Sequence, residues 1–375
     1  MIPPLENIDW SNFLARPRLP SPPAEVFDLL YRQPILITGA GGSIGSALAR
    51  RLAILAPPSL LLLESSESHL YAFNREWAAA SLACPITPIL GNAADVALLD
   101  HIFSAHSPRI VFHAAAYKHV PLMEEQPLAA IANNIFTTET LSMACASRDA
   151  RLILLSTDKA VEPASVMGAT KRVAEQIVLA SGGVVLRLGN VLASRDSVVE
   201  LFARQIAQGG PITVTDPAAR RYFLTLDEAV NLLLIAAAQP QPTALLAPIL
   251  PAPHYISDLA HFMAASLAPE KEIAIDFTQP RPGDKQTEQL WFAGDATQPI
   301  SLNGLRTPAA TGLVSIQTRH LDQEQFALGL EYLRAALDVR SLAAALVHLR
   351  FLVPDYTPSP AVVALSQQQG SRISL

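Results

Sequence analysis

Short apolar runs rich in Leu, Ile and Val recur along the chain, each followed by a longer stretch in which apolar residues return at helical spacing. The runs Ile35–Thr38, Leu60–Leu63, Ile86–Leu90, Ile110–His113, Leu152–Ser156 and Val184–Leu188 read as strands. Between them, Ser43 to about Leu55, a stretch through Ala79, the neighbourhoods of Asp95–Phe103 and Leu128–Ala146, and Ser165–Leu179 read as helices. Strands separated by helical stretches of this length must return by right-handed crossovers, which makes a parallel sheet with helices on both faces. The expected fold class is α/β, a doubly wound parallel-sheet Rossmann domain over residues 34–190.

The pattern changes at both ends. Residues 1–33 form a Pro-rich lead with Pro17, Pro20, Pro22 and Pro23. After Asn190 the alternation loosens and prolines become frequent, as in Pro240, Pro242, Pro248, Pro251 and Pro253. Residues 191–221 and 246–357 are therefore expected to build a smaller, irregular C-terminal lobe over the carboxyl ends of the strands, where open α/β sheets bind ligands. Residues 222–245 return to the Rossmann domain. The stretch from Leu321 to Leu352 reads as amphipathic helix, and the polar tail at 358–375 is expected to fray.

Composition narrows the function classes. The chain has 375 residues, half of them apolar, with 27 basic against 33 acidic side chains, a formal charge of −6. That supports a real core and leaves no broad basic surface for nucleic acid or anionic membrane. Cys84 and Cys145 form no paired-ligand pattern, so a reducing cytoplasm and no metal site are expected. No apolar stretch reaches the ~18 residues of a membrane span, and Met1–Arg18, with Pro3, Pro4, Glu6 and Asp9, does not read as a signal peptide. Only five of the basic residues are lysines: Lys118, Lys159, Lys171, Lys271 and Lys285. In a chain this rich in Arg, a retained Lys marks a place where a compact, deprotonatable ammonium suits the chemistry.

The strand Ile35–Thr38 runs into Gly39-Ala-Gly-Gly42-Ser-Ile-Gly45 and then into a helix. Gly39 permits the tight turn, Gly42 lets backbone approach a pyrophosphate, and Gly45 lets helix and strand pack closely, with the helix N-terminus facing the anion. The next strand ends at Glu64, where a carboxylate accepts hydrogen bonds from the adenosine 2′- and 3′-hydroxyls and repels a 2′-phosphate. NAD is thus favoured over NADP. The expected cofactor contacts are Gly39, Gly42, Ser43, Ile44, Gly45, Glu64, Asn92, Ala93, Ala114, Ala115 and Lys171.

The strand Leu152–Ser156 delivers Thr157, Asp158 and Lys159 to the ligand crevice, ahead of a helix carrying Met167-Gly-Ala-Thr-Lys171. On an extended strand Asp158 and Lys159 would face opposite sides. Both serve one substrate only if the chain leaves strand geometry at Thr157.

Eight segments, in order, carry a resemblance: TGAGGSIG (Thr38–Gly45), HAAAYKHVPLMEE (His113–Glu125), STDKAVEPASVMGATKR (Ser156–Arg172), RLGNVLAS (Arg187–Ser194), GGPITVT (Gly209–Thr215), RYFLT (Arg221–Thr225), RPGDK (Arg281–Lys285) and LVPDYTPS (Leu352–Ser359). From about residue 11 to 359 the chain resembles the CapD-type polysaccharide-biosynthesis branch of the extended short-chain dehydrogenase/reductases, the nucleotide-sugar 4,6-dehydratases. Larger members carry an N-terminal membrane domain, and this chain begins about where their soluble catalytic portion does. Most relatives in the wider superfamily place Tyr four residues before the Lys of YxxxK. Here that slot holds Met167, whose thioether cannot exchange a proton. The subgroup that shares this Met retains the sugar's C5 configuration, so the resemblance implies NAD-dependent dehydration of a UDP-sugar, most of all UDP-N-acetylglucosamine.

In that chemistry C4 gives a hydride to NAD⁺, a base removes the C5 proton, an acid helps the C6 hydroxyl leave as water, and the hydride returns to C6. The expectation is that Thr157 hydrogen-bonds O4, Lys159 acts as base and Asp158 as acid, the pair being coupled so that the roles are reversible. The resemblance assigns Lys171 to the nicotinamide ribose, places Asn190, Arg221 and Arg281 around the diphosphate, and sets Lys118 and His119 near the sugar or its phosphates. It also implies a homo-oligomer. Tyr117 is a weaker candidate for a replacement phenol. Three positions depart from the family pattern: Asn92 for an acid, and Ala193 and Asp196 for glycines. A 4-epimerase, which shares the C4 oxidation, and a catalytically silent nucleotide-binding protein are the competing readings.

Overall fold

The computed structural model of the chain describes residues 5, 8–79, 84–300, 311–317 and 322–373. Six parallel strands carry the first half: β1 (Ile35–Thr38), β2 (Leu60–Glu64), β3 (Ile86–Leu90), β4 (Ile110–His113), β5 (Arg151–Thr157) and β6 (Val184–Leu188). They lie in the order β3-β2-β1-β4-β5-β6. The order reverses between β1 and β4, whose neighbouring carboxyl ends open the crevice expected of a doubly wound sheet. The helices between them start where side chains satisfy their first amides. Asp95 caps Val96–His106 through Leu98 N at 3.1 Å, and Ser165 caps Val166–Ala180 through Gly168 N at 3.1 Å.

The sheet does not stop at β6. Ala244–Pro248 adds a parallel strand beside it, and Leu313–Gln317 and Ala296–Pro299 follow antiparallel, making nine strands. Parts of the stretch expected to belong wholly to the lobe thus extend the main sheet. Both outermost strands carry a proline, Pro88 beside Leu62 and Pro299 opposite Val314.

Three other details differ from the sequence reading. The helical stretch around Leu128–Ala146 is broken into Pro127–Ile131, a wider π turn at Ala132–Phe136, and Thr137–Ala146. The tail helix is two helices, Gln323–Asp338 and Leu342–Leu352, because Arg340 adopts φ 50 and Ser341 caps the second one; Leu321 lies outside the described residues. The tail expected to fray forms a helix, Pro360–Ile373, which buries Val362 and is anchored by a hydrogen bond from Ser359 to buried Glu124. A polar sequence hid that anchor, because the partner is a carboxylate far away along the chain. The N-terminal lead is pinned as well: Arg16 donates to both oxygens of buried Glu228. Among the described residues no helix is long and apolar enough to cross a membrane, and none form a metal-binding cluster of His, Cys, Asp or Glu.

Candidate active site

The glycine turn after β1 is shaped by close approach. A Cβ on Gly39, which sits at φ 67, would lie 2.7 Å from the backbone of Ala115, and one on Gly45 would lie 2.2 Å from Gly39 O. The turn therefore packs directly on Ala114 and Ala115 at the end of β4, across the point where strand order reverses. The helix Ser43–Leu55 begins at Gly42 with no side-chain cap, leaving its first amides for an anion. Glu64 is buried; its Oε2 accepts from Gly41 N at 2.8 Å and its Oε1 from Ser66 N at 2.9 Å. Each oxygen keeps a further lone pair for a ribose hydroxyl. Ala93 is buried, while Asn92 is exposed and accepts from Ala94 N at 2.9 Å.

Chain geometry changes at the end of β5. Thr157 is still extended, and a 3-10 turn begins at Asp158, covering Asp158–Ala160. The turn brings both side chains together: Lys159 Nζ lies 3.0 Å from Asp158 Oδ1, which also accepts from Thr157 Oγ1 at 2.9 Å. Asp158 is fully buried, and its Oδ2 has no hydrogen-bond partner among the described residues. Three remote contacts hold this loop. Lys285 Nζ donates to Val161 O at 2.8 Å, Thr357 N to Pro163 O at 3.0 Å, and Glu124 Oε1 accepts from Val166 N at 2.7 Å. Gly168 completes the fit, since a Cβ there would sit 2.3 Å from Lys159 O.

Lys159 Nζ also donates to Asn190 Oδ1 at 3.0 Å and faces Glu288 at 4.0 Å. Burial alone would lower its pKa, but Asp158 and Glu288 outweigh burial and the nearby Arg221, and the net shift is upward. Glu288, which the sequence reading missed, is buried and faces three cations: Lys159 and Arg221 at 4.0 Å and Lys285 at 2.6 Å. Its only sequence signal is a position three residues after Lys285.

Asn134 was missed too. It occupies the π turn, accepts from Tyr117 N at 2.8 Å, and donates to Tyr117 O at 3.0 Å and to Thr170 Oγ1 at 3.1 Å. A polar pair inside an apolar helical stretch, Asn133-Asn134, was the available clue. Met167 is buried in an apolar cluster with Val120, Met123 and Ile131. Lys171, one turn along the same helix, is lowered to about 8 because burial penalises its charge, with Glu175 opposing. His113 bridges Thr38 and Thr138. Thr138 spends its proton on Asn134 O at 2.8 Å, so His113 donates from Nε2 and accepts at Nδ1, a neutral imidazole. Burial drives its pKa down to about 3, assisted by Lys171.

On the substrate side, Asn190 and buried Arg221 join the Lys159 cluster, whereas exposed Arg281 pairs with Asp284 at 2.8 Å and stays outside it. Tyr117, Lys118 and His119 are exposed past β4. Lys118 Nζ donates to Arg195 O at 2.6 Å, while Arg195 N donates to Ser43 Oγ and Arg195 Nη1 to Gly41 O, each at 2.8 Å. The loop around Arg195 thereby lies across the glycine turn. Its two departures from the family pattern, Ala193 and Asp196, both adopt left-handed backbone, φ 55 and φ 54, a conformation that favours glycine. Neighbouring protein partly desolvates Lys118 and His119 and lowers the pKa of both, and Asp196 opposes the shift in each.

The family model described as polysaccharide biosynthesis protein matches residues 35–307. The capsular polysaccharide biosynthesis protein CapD of Staphylococcus aureus is 36% identical over 296 residues, covering 76% of this chain and 49% of the relative, so the chain spans about half the length of that protein. Among solved structures, Pen from Bacillus thuringiensis has a TM-score of 0.67 at 25% identity, covering 78% of this chain and 89% of that one. A dTDP-glucose 4,6-dehydratase, DesIV from Streptomyces venezuelae, solved with NAD bound, has a TM-score of 0.60 at 18% identity, covering 68% of this chain and 87% of that one.

Proposed function

Because the chain belongs to the polysaccharide biosynthesis protein family, we propose that it is an NAD-dependent nucleotide-sugar 4,6-dehydratase acting on UDP-N-acetylglucosamine with C5 configuration retained. One observation carries this reading: Thr157, Asp158 and Lys159 converge on a 3-10 turn at the carboxyl end of β5, while the slot of the usual phenol is a buried Met167.

The residues around the glycine turn fit a dinucleotide. Uncapped amides at Ser43–Gly45 would hold its pyrophosphate, Glu64 its adenosine ribose, and Lys171 its nicotinamide ribose. The cofactor supplies a hydride acceptor and donor, so the sugar is oxidised at C4 and reduced at C6 with no net redox change. The protein's task is proton traffic. Thr157 hydrogen-bonds O4 and relays its proton, and Asp158 and Lys159 form the acid–base couple for removing water across C5 and C6. Asn190 and Arg221 face the diphosphate from the substrate side, whereas Arg281, exposed and paired with Asp284, stands apart from them. Met167 keeps the site free of a competing phenol.

The test is to incubate the protein with UDP-N-acetylglucosamine and NAD and follow the sugar by NMR. A 4-keto-6-deoxy product with unchanged C5 configuration is expected, and Asp158→Asn is expected to lower turnover at least ~100-fold, the range of a lost acid or base. A C4 epimer without loss of water would replace this reading with the epimerase one.

A further inference from the structure

Lys285 is one of only five lysines, and it sits where the substrate lobe meets the 3-10 turn at the end of β5. Its Nζ donates to Val161 O at 2.8 Å and lies 2.6 Å from Glu288 Oε2. Val161 is fully buried and directly follows the turn, its amide closing onto Asp158 O at 3.2 Å. A buried carbonyl needs a donor, and Lys285 supplies it from 124 residues away along the chain. We propose that Lys285 is a positioning residue: its ammonium joins the segment that borders the nucleotide-sugar to the turn that carries Asp158 and Lys159, so that the turn is held in place by the same segment that seats the substrate.

The inference rests on the dehydratase reading and leaves the division of acid and base roles within it untouched. The segment around Lys285 is fixed on both sides. Before it, Gly283 adopts φ 80 and packs so closely that a Cβ there would lie 2.9 Å from Ser165 and 3.0 Å from Val120, and Asp284 is paired with Arg281 at 2.8 Å. After it, Gln286 O accepts from Arg220 N at 2.7 Å and from Arg221 Nη1 at 3.1 Å, and Leu290 O accepts from fully buried Arg187 at 3.1 Å. Ser165 caps the helix of Met167 and Lys171, and Arg221 is the arm that faces the diphosphate in this reading. Lys285 therefore stands between the substrate side and the turn, with its backbone on one and its ammonium on the other.

Removing the ammonium has two consequences. Val161 O is left buried without its donor, which favours a shift of the turn toward other partners. Glu288, only 2% exposed, loses its near cation and keeps Lys159 and Arg221, each at 4.0 Å. A buried carboxylate so placed is drawn toward both, away from the geometry that the turn and the diphosphate arm share. A misplacement of about 1 Å is enough to lower a rate on the order of 100-fold. A single compact ammonium reaches both acceptors, where a guanidinium would spread its donors over a plane.

The chain's own two cysteines, Cys84 and Cys145, are buried, whereas the Lys285 side chain is 18% exposed. The thiol introduced by Lys285→Cys is therefore open to selective alkylation with 2-bromoethylamine, which rebuilds an ammonium at nearly the lysine length. Lys285→Cys is expected to speed hydrogen exchange in the peptide spanning residues 157–166 by at least ~10-fold. It is also expected to lower kcat on the order of 100-fold while changing KM for the nucleotide-sugar by less than about threefold. Aminoethylation is expected to reverse both effects, and capping the thiol with a neutral methylthio group to reverse neither. Lys285→Met gives the same two readings should the cysteine variant fail to fold. Unaltered exchange in 157–166 of a folded variant overturns the inference, as does a turnover within about threefold of the unsubstituted protein or a neutral cap that restores as much as the ammonium. Exchange is read without turnover, so absence of product from UDP-sugars with the unsubstituted protein would count against the dehydratase reading alone.

Discussion

His113 illustrates how much one buried side chain sets the chain's behaviour in acid. Its imidazole is neutral, sandwiched between two threonine hydroxyls, with a pKa pushed from 6.5 to about 3. In the unfolded chain the ring binds a proton below 6.5, whereas in the folded chain it does not until about 3. Stability should therefore fall as pH drops through that window, by roughly 1.4 kcal/mol per pH unit from this residue alone. Urea unfolding at several pH values inside the window checks this, and His113→Gln should flatten the slope by about one proton. None of this was visible in the sequence, where His113 is simply the last residue of an apolar run. Thr157, Asp158 and Lys159 were legible because a strand end in a doubly wound sheet marks a crevice. Glu288 was not, since its meaning comes from three cations that only the fold brings to it.

At the scale of elements, the strands were legible wherever apolar runs were bounded by turn residues, and the breaks within helices were not. The π turn at Ala132–Phe136 depends on the backbone partners that Asn134 finds in the loop after β4. The helix carrying Met167 and Lys171 is seated by a glycine: Gly168 lets its first turn touch the carbonyl of Lys159. Gly168→Ala would force a methyl group against that carbonyl, so the helix or the 3-10 turn must move. The expected result is a loss of roughly 1–3 kcal/mol of stability, and a turnover number reduced at least tenfold with little change in nucleotide-sugar affinity. Thermal unfolding and steady-state kinetics on the same preparation separate the two effects.

For the whole molecule, the crossover pattern announced the parallel sheet, but nothing local announced that the ends of the chain reinforce the site. Ser359 reaches Glu124, which caps the helix of Met167, and Thr357 holds Pro163. Deleting residues 358–375 removes the Ser359 hydrogen bond and the buried Val362 side chain. A destabilisation of roughly 3–5 kcal/mol is expected from the two together. Denaturant unfolding of the shortened chain measures it, and an unchanged midpoint would show that the terminal helix is dispensable.

The prolines on the two outermost strands bear on crowding rather than on catalysis. A bare rim of amides and carbonyls invites strands from neighbouring copies, and long stacks grow that way. Pro88 and Pro299 each withdraw an amide donor from such a rim. Among the described residues, a proline therefore stands in the way of end-to-end growth of the sheet on each side.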